Sequence, residues 1–230
     1  MIVQDKYTYL TAVLIALVPW AILFLRRKDL RKKMITMSIL VTLFGLFAEY
    51  FWWSRDWWHP PTVTGTRIGI EDILNGIVTG GITAVLYEEI FKKKFYKRKS
   101  KPHNFGALVI GLIFFLISGF LFYALQIPSF ISSTIAFVIA GFILIIQRRD
   151  LITDAFLTGV CLIIGIFPFY LILNFISPHY IENIWVTSNL SGIRFIGDPI
   201  EDIIFYFFFG FLIGPFYLYW KGEKLRRIIK

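Results

Sequence analysis

The sequence predicts an all-α membrane protein of seven transmembrane helices, built as two three-helix repeats joined by a linker helix. Three observations carry this expectation. The chain holds seven long apolar runs, its basic residues gather in alternate connections, and one pattern of residues occurs twice.

A helix that crosses a bilayer needs about 20 mostly apolar residues. Residues 7–25, 34–51, 70–91, 105–125, 130–146, 151–176 and 200–220 meet that requirement. Hydrophobic residues make up 57% of the 230 and aromatic residues 19%, with a mean hydropathy of +0.69. A soluble fold has too little interior for so much apolar surface, whereas lipid accepts an apolar exterior. Pro128 precedes the fifth run, and Pro168 falls inside the sixth, where a kink is expected. No basic stretch precedes the first run and no small-residue cleavage site follows it, so that helix is expected to insert and remain.

The formal charge of +9 is organised as a topology signal. The segments 26–33, 92–101, 148–150 and 221–230 hold 20 of the 24 Lys and Arg residues, and Lys6, Arg55, Arg67 and Arg194 are the remainder. Short cytoplasmic loops carry such an excess, which puts the C-terminus in the cytoplasm, the N-terminus outside, and the protein in the cell membrane. Basic clusters confined to short loops between spans argue against nucleic acid as a partner. The connections on the opposite side are rich in Trp, Tyr, Pro and Gly. Trp52, Trp53, Trp57, Trp58 and Trp185 read there as interfacial anchors, or as the roof of a cavity.

The repeat begins at LRRKDL (25–30) and again at QRRDL (147–151). Each copy runs through a helix and an aromatic loop. The first then reaches GTRIGIEDI (65–73) and the second GIRFIGDPIEDI (192–203). This divides the chain into a first three-helix unit (1–99), a linker helix (100–127) and a second unit (128–230). Two copies of three spans can share one orientation only if a single helix separates them. Membrane proteins built from repeats commonly place a site where the copies meet.

Each copy sets two adjacent acids at the start of its last helix, Glu71–Asp72 and Glu201–Asp202. Neighbours on a helix point about 100° apart, so one acid of each pair can face the bundle centre. Asn75 lies one turn below Glu71, and Glu49 lies near the end of the second run, within reach of the same region. Arg67 and Arg194 precede the pairs, either to neutralise them or to contact a substrate. Asn174, in the sixth run, suits an interhelical hydrogen bond or a site role. The structural alternative is plain: Asp198-Pro199-Ile200-Glu201 reads as a capping box, and acids at a helix N-terminus complement its dipole. Acids at membrane depth are nevertheless expensive and usually functional.

Other chemistry is not encoded. His59, His103 and His179 have no metal-ligand spacing, and no glycine-rich nucleotide loop or haem motif occurs, so neither a metal nor a cofactor is expected. Cys161 is the sole cysteine and can form no internal disulfide. Glu88 and Glu89 adjoin Lys92–Lys94 and are expected to pair with them. The residues alone leave three functions open: an enzyme, a proton-coupled transporter using the acids as proton sites, or a non-catalytic lipid-binding protein.

The duplicated unit, its aromatic loop and its paired acids resemble the lycopene cyclase domain family. These are the small membrane carotenoid cyclases of bacteria, archaea and fungi, with two such domains fused or heterodimeric. The family's Pro-x-Glu-Glu-like motif corresponds to Pro199-Ile200-Glu201-Asp202 and, without the proline, to Gly69-Ile70-Glu71-Asp72, the pattern of a divergent member. The resemblance implies an isomerase (an intramolecular lyase) of carotenoid biosynthesis acting on lycopene or a related polyprenoid. A proton adds to a terminal C=C bond, the ring closes through a carbocation, and a proton leaves without net redox change. It implies Glu201 or Glu71 as the proton donor, with Asp202, Asp72 and Glu49 as its partners. Substrate contacts fall to Asn75, Arg67, Arg194 and Asn174. No cofactor is needed. The partners implied are a lipidic polyene drawn from the bilayer and membrane lipids, and an oligomer is compatible with the family's habit.

Overall fold

The computed structural model describes residues 5–96 and 100–227. Lys97, Arg98, Lys99 and Lys230 of the predicted basic clusters lie outside the described residues. Seven helices of 18 residues or more carry the fold: α1 (Asp5–Arg26), α2 (Arg31–Ala48), α3 (Ile70–Ile90), α4 (Asn104–Tyr123), α5 (Ser129–Gln147), α6 (Ile152–Ile176) and α7 (Ile200–Lys221). Among the described residues, six are long and apolar enough to cross a membrane. The exception is α3, which carries Glu71 and Asp72 at one end and Glu88 and Glu89 at the other. Pro168 sits inside α6, which continues past it to Ile176.

Glycine decides which helices come closest. A Cβ on Gly76 would lie 2.6 Å from the Thr42 Cα of α2, and one on Gly80 would lie 2.7 Å from the Met37 carbonyl oxygen. On α7, a Cβ on Gly210 would lie 2.9 Å from the Gly159 Cα of α6, and one on Gly214 would lie 2.6 Å from the Thr158 hydroxyl. Small residues four apart let helix backbones touch where apolar attraction between helices is weak. Gly80 follows Glu71 by the same interval at which Gly210 follows Glu201. The α2–α3 and α6–α7 pairs are therefore joined by matching devices.

The two ends of the bundle are closed differently. At the basic end, β1 (Lys93–Phe95) pairs antiparallel with β4 (Leu225–Arg227), tying the segment after α3 to the segment after α7. Beneath it, the Lys33 ammonium of α2 lies 2.6 Å from the Glu88 carboxylate of α3, both fully buried. Asp154 of α6 is buried beside them and accepts a hydrogen bond from Thr158 at 3.0 Å. This corrects the expected pairing of Glu88 with Lys92–Lys94. Glu89 alone turns to the surface cations, meeting Arg27 at 3.0 Å and Lys92 at 3.4 Å.

At the aromatic end, α2 widens into one π-helical turn, Glu49–Trp53, and then a short helix, Ser54–Asp56. The two long loops join here. Trp58 and Trp185 form a backbone bridge, His59 N–H donates to the Ile184 carbonyl, and Val186 N–H donates to that of Trp57. Asp56 accepts from Ser129 N–H at 2.9 Å and so fastens the first loop to α5. Trp52, Trp57 and Trp185 are buried, so they pack inside this end of the bundle and are not lipid-facing anchors.

The starts of α3 and α7 differ by one residue type. In α3, the Asp72 carboxylate accepts from Gly69 N–H at 2.7 Å, the reciprocal half of a capping box. In α7, Pro199 holds the equivalent place and has no N–H to give. The expected box on Asp198 is thereby corrected: the helix starts one residue later, Asp202 occupies the third helical position, and Asp198 caps nothing. Asp198 lies instead in β3 (Asp198–Pro199), paired with β2 (Arg194–Phe195). It is buried, with no hydrogen-bond partner on either carboxylate oxygen.

Two outcomes follow. Replacing Lys33 with Met strands Glu88 and Asp154 without a cation, and stability should fall by about 3–5 kcal/mol. Adding Glu88→Leu should restore part of it, read from unfolding curves in detergent. Burial and the neighbouring Asp202 push the Asp198 carboxyl up to about 7. Its native form keeps a proton that the unfolded chain gives up near pH 4, so its contribution is full below pH 4 and is lost as pH rises to about 7. Asp198→Asn should therefore raise the melting temperature at pH 8 and leave it unchanged at pH 4.

Candidate active site

The bundle encloses one large cavity, about 1170 Å³ including its open mouth, bounded by α2, α3, α4, α5 and α7. Trp53, Trp57 and Trp58 cover its aromatic end. Their positions are set by packing: Trp57 meets Phe205 edge-on at 4.8 Å and Phe130 at 5.5 Å, and Trp53 donates to the Ser133 hydroxyl at 2.8 Å. Below the roof the walls are mostly aliphatic and aromatic, down to Leu212 and Phe216 of α7.

Three carboxyl groups line this space, those of Glu49, Asp72 and Asp202. Among the described residues, no Lys, Arg or His lines it. The three occupy the roofed end. Glu49 is there because the π-helical turn begins at it, and such turns recur at functional sites. Asp72 has one oxygen held by the Gly69 N–H, with Tyr9 and Glu49 as its side-chain neighbours. Asp202 receives a hydrogen bond from the Tyr170 hydroxyl of α6 and has Trp185 and Glu201 beside it. Tyr206, one turn along α7, lines the cavity next to Asp202.

The glutamates of the two pairs point elsewhere, and in the same way. Glu71 is fully buried and accepts from Val63 N–H at 2.7 Å. Glu201 is buried and accepts from Ser191 N–H at 2.6 Å. Each holds the loop that precedes its own helix, and neither lines the cavity. Each also keeps its second oxygen buried without a hydrogen-bond partner. The doublets thus split as helix geometry requires: the aspartates face the chamber and the glutamates face the loops.

The other expected site residues fall into two groups. Asn75 lines the cavity one turn below Glu71. Arg67 lies over the Tyr50 ring at 5.2 Å and donates to the Ser54 hydroxyl at 2.5 Å. It sits near Glu49 but outside the cavity wall. Arg194 pairs with Glu182 at 2.8 Å on the surface and holds the Glu182 carboxyl below its usual range. Asn174 lies against Gly197 of the β2–β3 turn, away from the chamber. Sequence reasoning missed Tyr9, Tyr170 and Tyr206. Tyr170 carried a signal: it follows Asp150 by the interval at which Glu49 follows Asp29, so matching positions after the two basic motifs hold a tyrosine and a glutamate.

Chemically, this is a neutral hydrocarbon chamber with acids at one end and aromatic faces around them. Carboxyl groups can give and take protons, and π-faces can stabilise a passing cation. A diphosphate or another anionic head finds no cation on the walls.

Comparison with curated proteins and with solved structures gives no match. A family model described as lycopene cyclase matches two stretches, residues 6–88 and 128–220. The first holds Glu49, Glu71 and Asp72, the second holds Tyr170, Glu201 and Asp202, and α4 falls between them. Together they span well over half of the chain, and the long apolar helices fit a membrane protein of this kind: the chain belongs to the lycopene cyclase family.

Proposed function

We propose that the protein is an intramembrane cyclase of lycopene or a related linear polyprenoid, acting by proton-initiated cyclisation without net redox change. The observation that carries this reading is the elongated, mostly apolar cavity with its three carboxyl groups at one end. From Asp202 to Phe216 the cavity follows α7 for roughly 20 Å, at about 1.5 Å per residue. A long thin hydrocarbon fits such a space with one end among the acids.

The division of labour follows the geometry. A carboxylic acid among Asp72, Glu49 and Asp202 delivers a proton to the terminal C=C bond. The tertiary cation closes on a neighbouring double bond between the faces of Trp53, Trp57, Phe205 and Tyr206. A second carboxylate removes a proton from the adjacent carbon and leaves an isomer of the substrate. Tyr170 holds Asp202 in place, and Glu71 and Glu201 act as positioning residues that fix the loops above the acids. Asn75 contacts the substrate. Arg67 biases the charge at Glu49, and Arg194 and Asn174 shape the outer loop.

The same reading includes seven spans, with α3 as the most polar, two domains (1–99 and 128–230) and a linker helix (100–127). Matching loop contacts at Glu71 and Glu201, and matching glycines at 80 and 210, support the duplication. The basic clusters support a cytoplasmic C-terminus and an outer N-terminus. A proton-coupled carrier is less well supported, because the acids sit at one end of the cavity and not at its middle.

Expression in lycopene-accumulating cells, with pigments resolved by chromatography, tests the reading. Cyclic products are expected from the unaltered protein. Asp72→Asn and Asp202→Asn should each lower their yield by about 100-fold or more. Unchanged lycopene, together with solute flux driven by a pH gradient in proteoliposomes, would overturn the cyclase in favour of the carrier.

A further inference from the structure

A chamber for a bilayer-dissolved substrate needs a way in, and the fold leaves one seam less closed than the others. Helices α2 and α4 flank the cavity with little backbone contact between them. Aromatic rings bridge them instead: Phe115 stacks on Phe44 at 4.9 Å and meets Phe47 edge-on at 4.9 Å. Toward the aromatic end the Tyr123 hydroxyl donates to the Phe51 carbonyl at 2.5 Å and fastens that edge of the seam.

Two glycines keep the seam open behind the rings. Gly45 and Gly111 both line the cavity. A Cβ on Gly45 would meet nothing within 4 Å, and one on Gly111 would meet only the Phe44 ring, at 3.6 Å. Phe44 is itself 39% exposed while lining the chamber, so cavity and outer surface meet at this ring. Around it Leu43, Phe47, Leu108 and Leu112 are exposed. The opening lies near the middle of α4 and of the continuous span Arg31–Asp56 that α2 begins, the depth at which a bilayer holds acyl chains and no water. Gly45 is one helical turn, about 6 Å, from Glu49.

We propose that the α2–α4 seam is a lateral portal through which a linear polyene enters end-first from the bilayer core, with Phe44 and Phe115 as its shutter. The occupant must be a neutral hydrocarbon, because every side chain around the opening is apolar and the seam meets lipid at hydrocarbon depth. The end that enters first passes Gly45 and arrives beside Glu49 and Asp72, which places the acids at the terminal double bond. The linker helix, outside both family-matched stretches, thereby gains a function as one jamb of the doorway. This inference rests on the polyene reading of the chamber but not on its chemistry.

The test closes the portal reversibly. In the full chain with Cys161→Ser, Phe44→Cys and Phe115→Cys are bridged with a short bis-thiosulfonate reagent and later released with reductant. The protein, in neutral phospholipid vesicles, is mixed with vesicles carrying lycopene, and the pigment bound to the recaptured protein is followed over time. Bridging should slow uptake at least tenfold, and reductant should restore it, which also shows that the bridged protein is folded. Equal uptake by bridged and released protein would overturn the portal. No uptake by released protein would overturn both the portal and the polyene reading. Uptake without any cyclic product would overturn the proposed chemistry and leave the portal standing.

Discussion

The rest of the structure depends on keeping three carboxyl groups in an apolar chamber with no cation on its walls. Charged groups are costly in such surroundings, and a protein retains them only where geometry compensates. Here the compensation is local. Asp72 leans on the first N–H of its own helix, Asp202 takes the hydroxyl of Tyr170, and Glu49 sits on a π-helical turn beside Asp72. The tryptophan roof holds this end in place. At the other end the buried Lys33–Glu88 pair, with Asp154, ties α2, α3 and α6 together where a chamber would otherwise splay.

The two halves are alike in plan and unlike in detail, and the difference bears on chemistry. Glu71 and Glu201 do one job in two places, gripping the loops through Val63 and Ser191. Asp72 and Asp202 do not. A glycine N–H engages the first, and a proline with no N–H leaves the second to a tyrosine. Proton transfer to an alkene followed by proton loss calls for one acid and one base, and unlike surroundings suit that division. At the basic end, Lys33 and Asp154 hold corresponding places in the two halves and carry opposite charge.

Much of this was legible in the residues. Apolar runs located six of the long helices as spans, and the pattern ending in Glu71–Asp72 and Glu201–Asp202 marked the end of the bundle where the acids lie. The split within each doublet was not legible. Helix periodicity says that neighbours diverge, but it does not say which of the two faces inward. The capping box expected at Asp198 failed because the sequence offered two registers one residue apart, and the β2–β3 hairpin selected the second. Glu88 was assigned to its nearest lysines in sequence, whereas helix packing brought Lys33 to it from α2. Tyr9 was invisible as a site residue because a tyrosine in an aromatic-rich chain carries no signal of its own, and Tyr170 is marked only by standing as far from Asp150 as Glu49 stands from Asp29.

Under the proposed chemistry a carboxylic acid begins the reaction by giving a proton to carbon. The most direct measurement is product mass when the reaction runs in heavy water. The donor acid exchanges with solvent, so each ring formed should retain one solvent-derived deuterium, and product mass should rise by one unit per ring while the carbon count stays fixed. Cyclic product without deuterium would contradict the account, as would product lacking two hydrogens relative to the substrate.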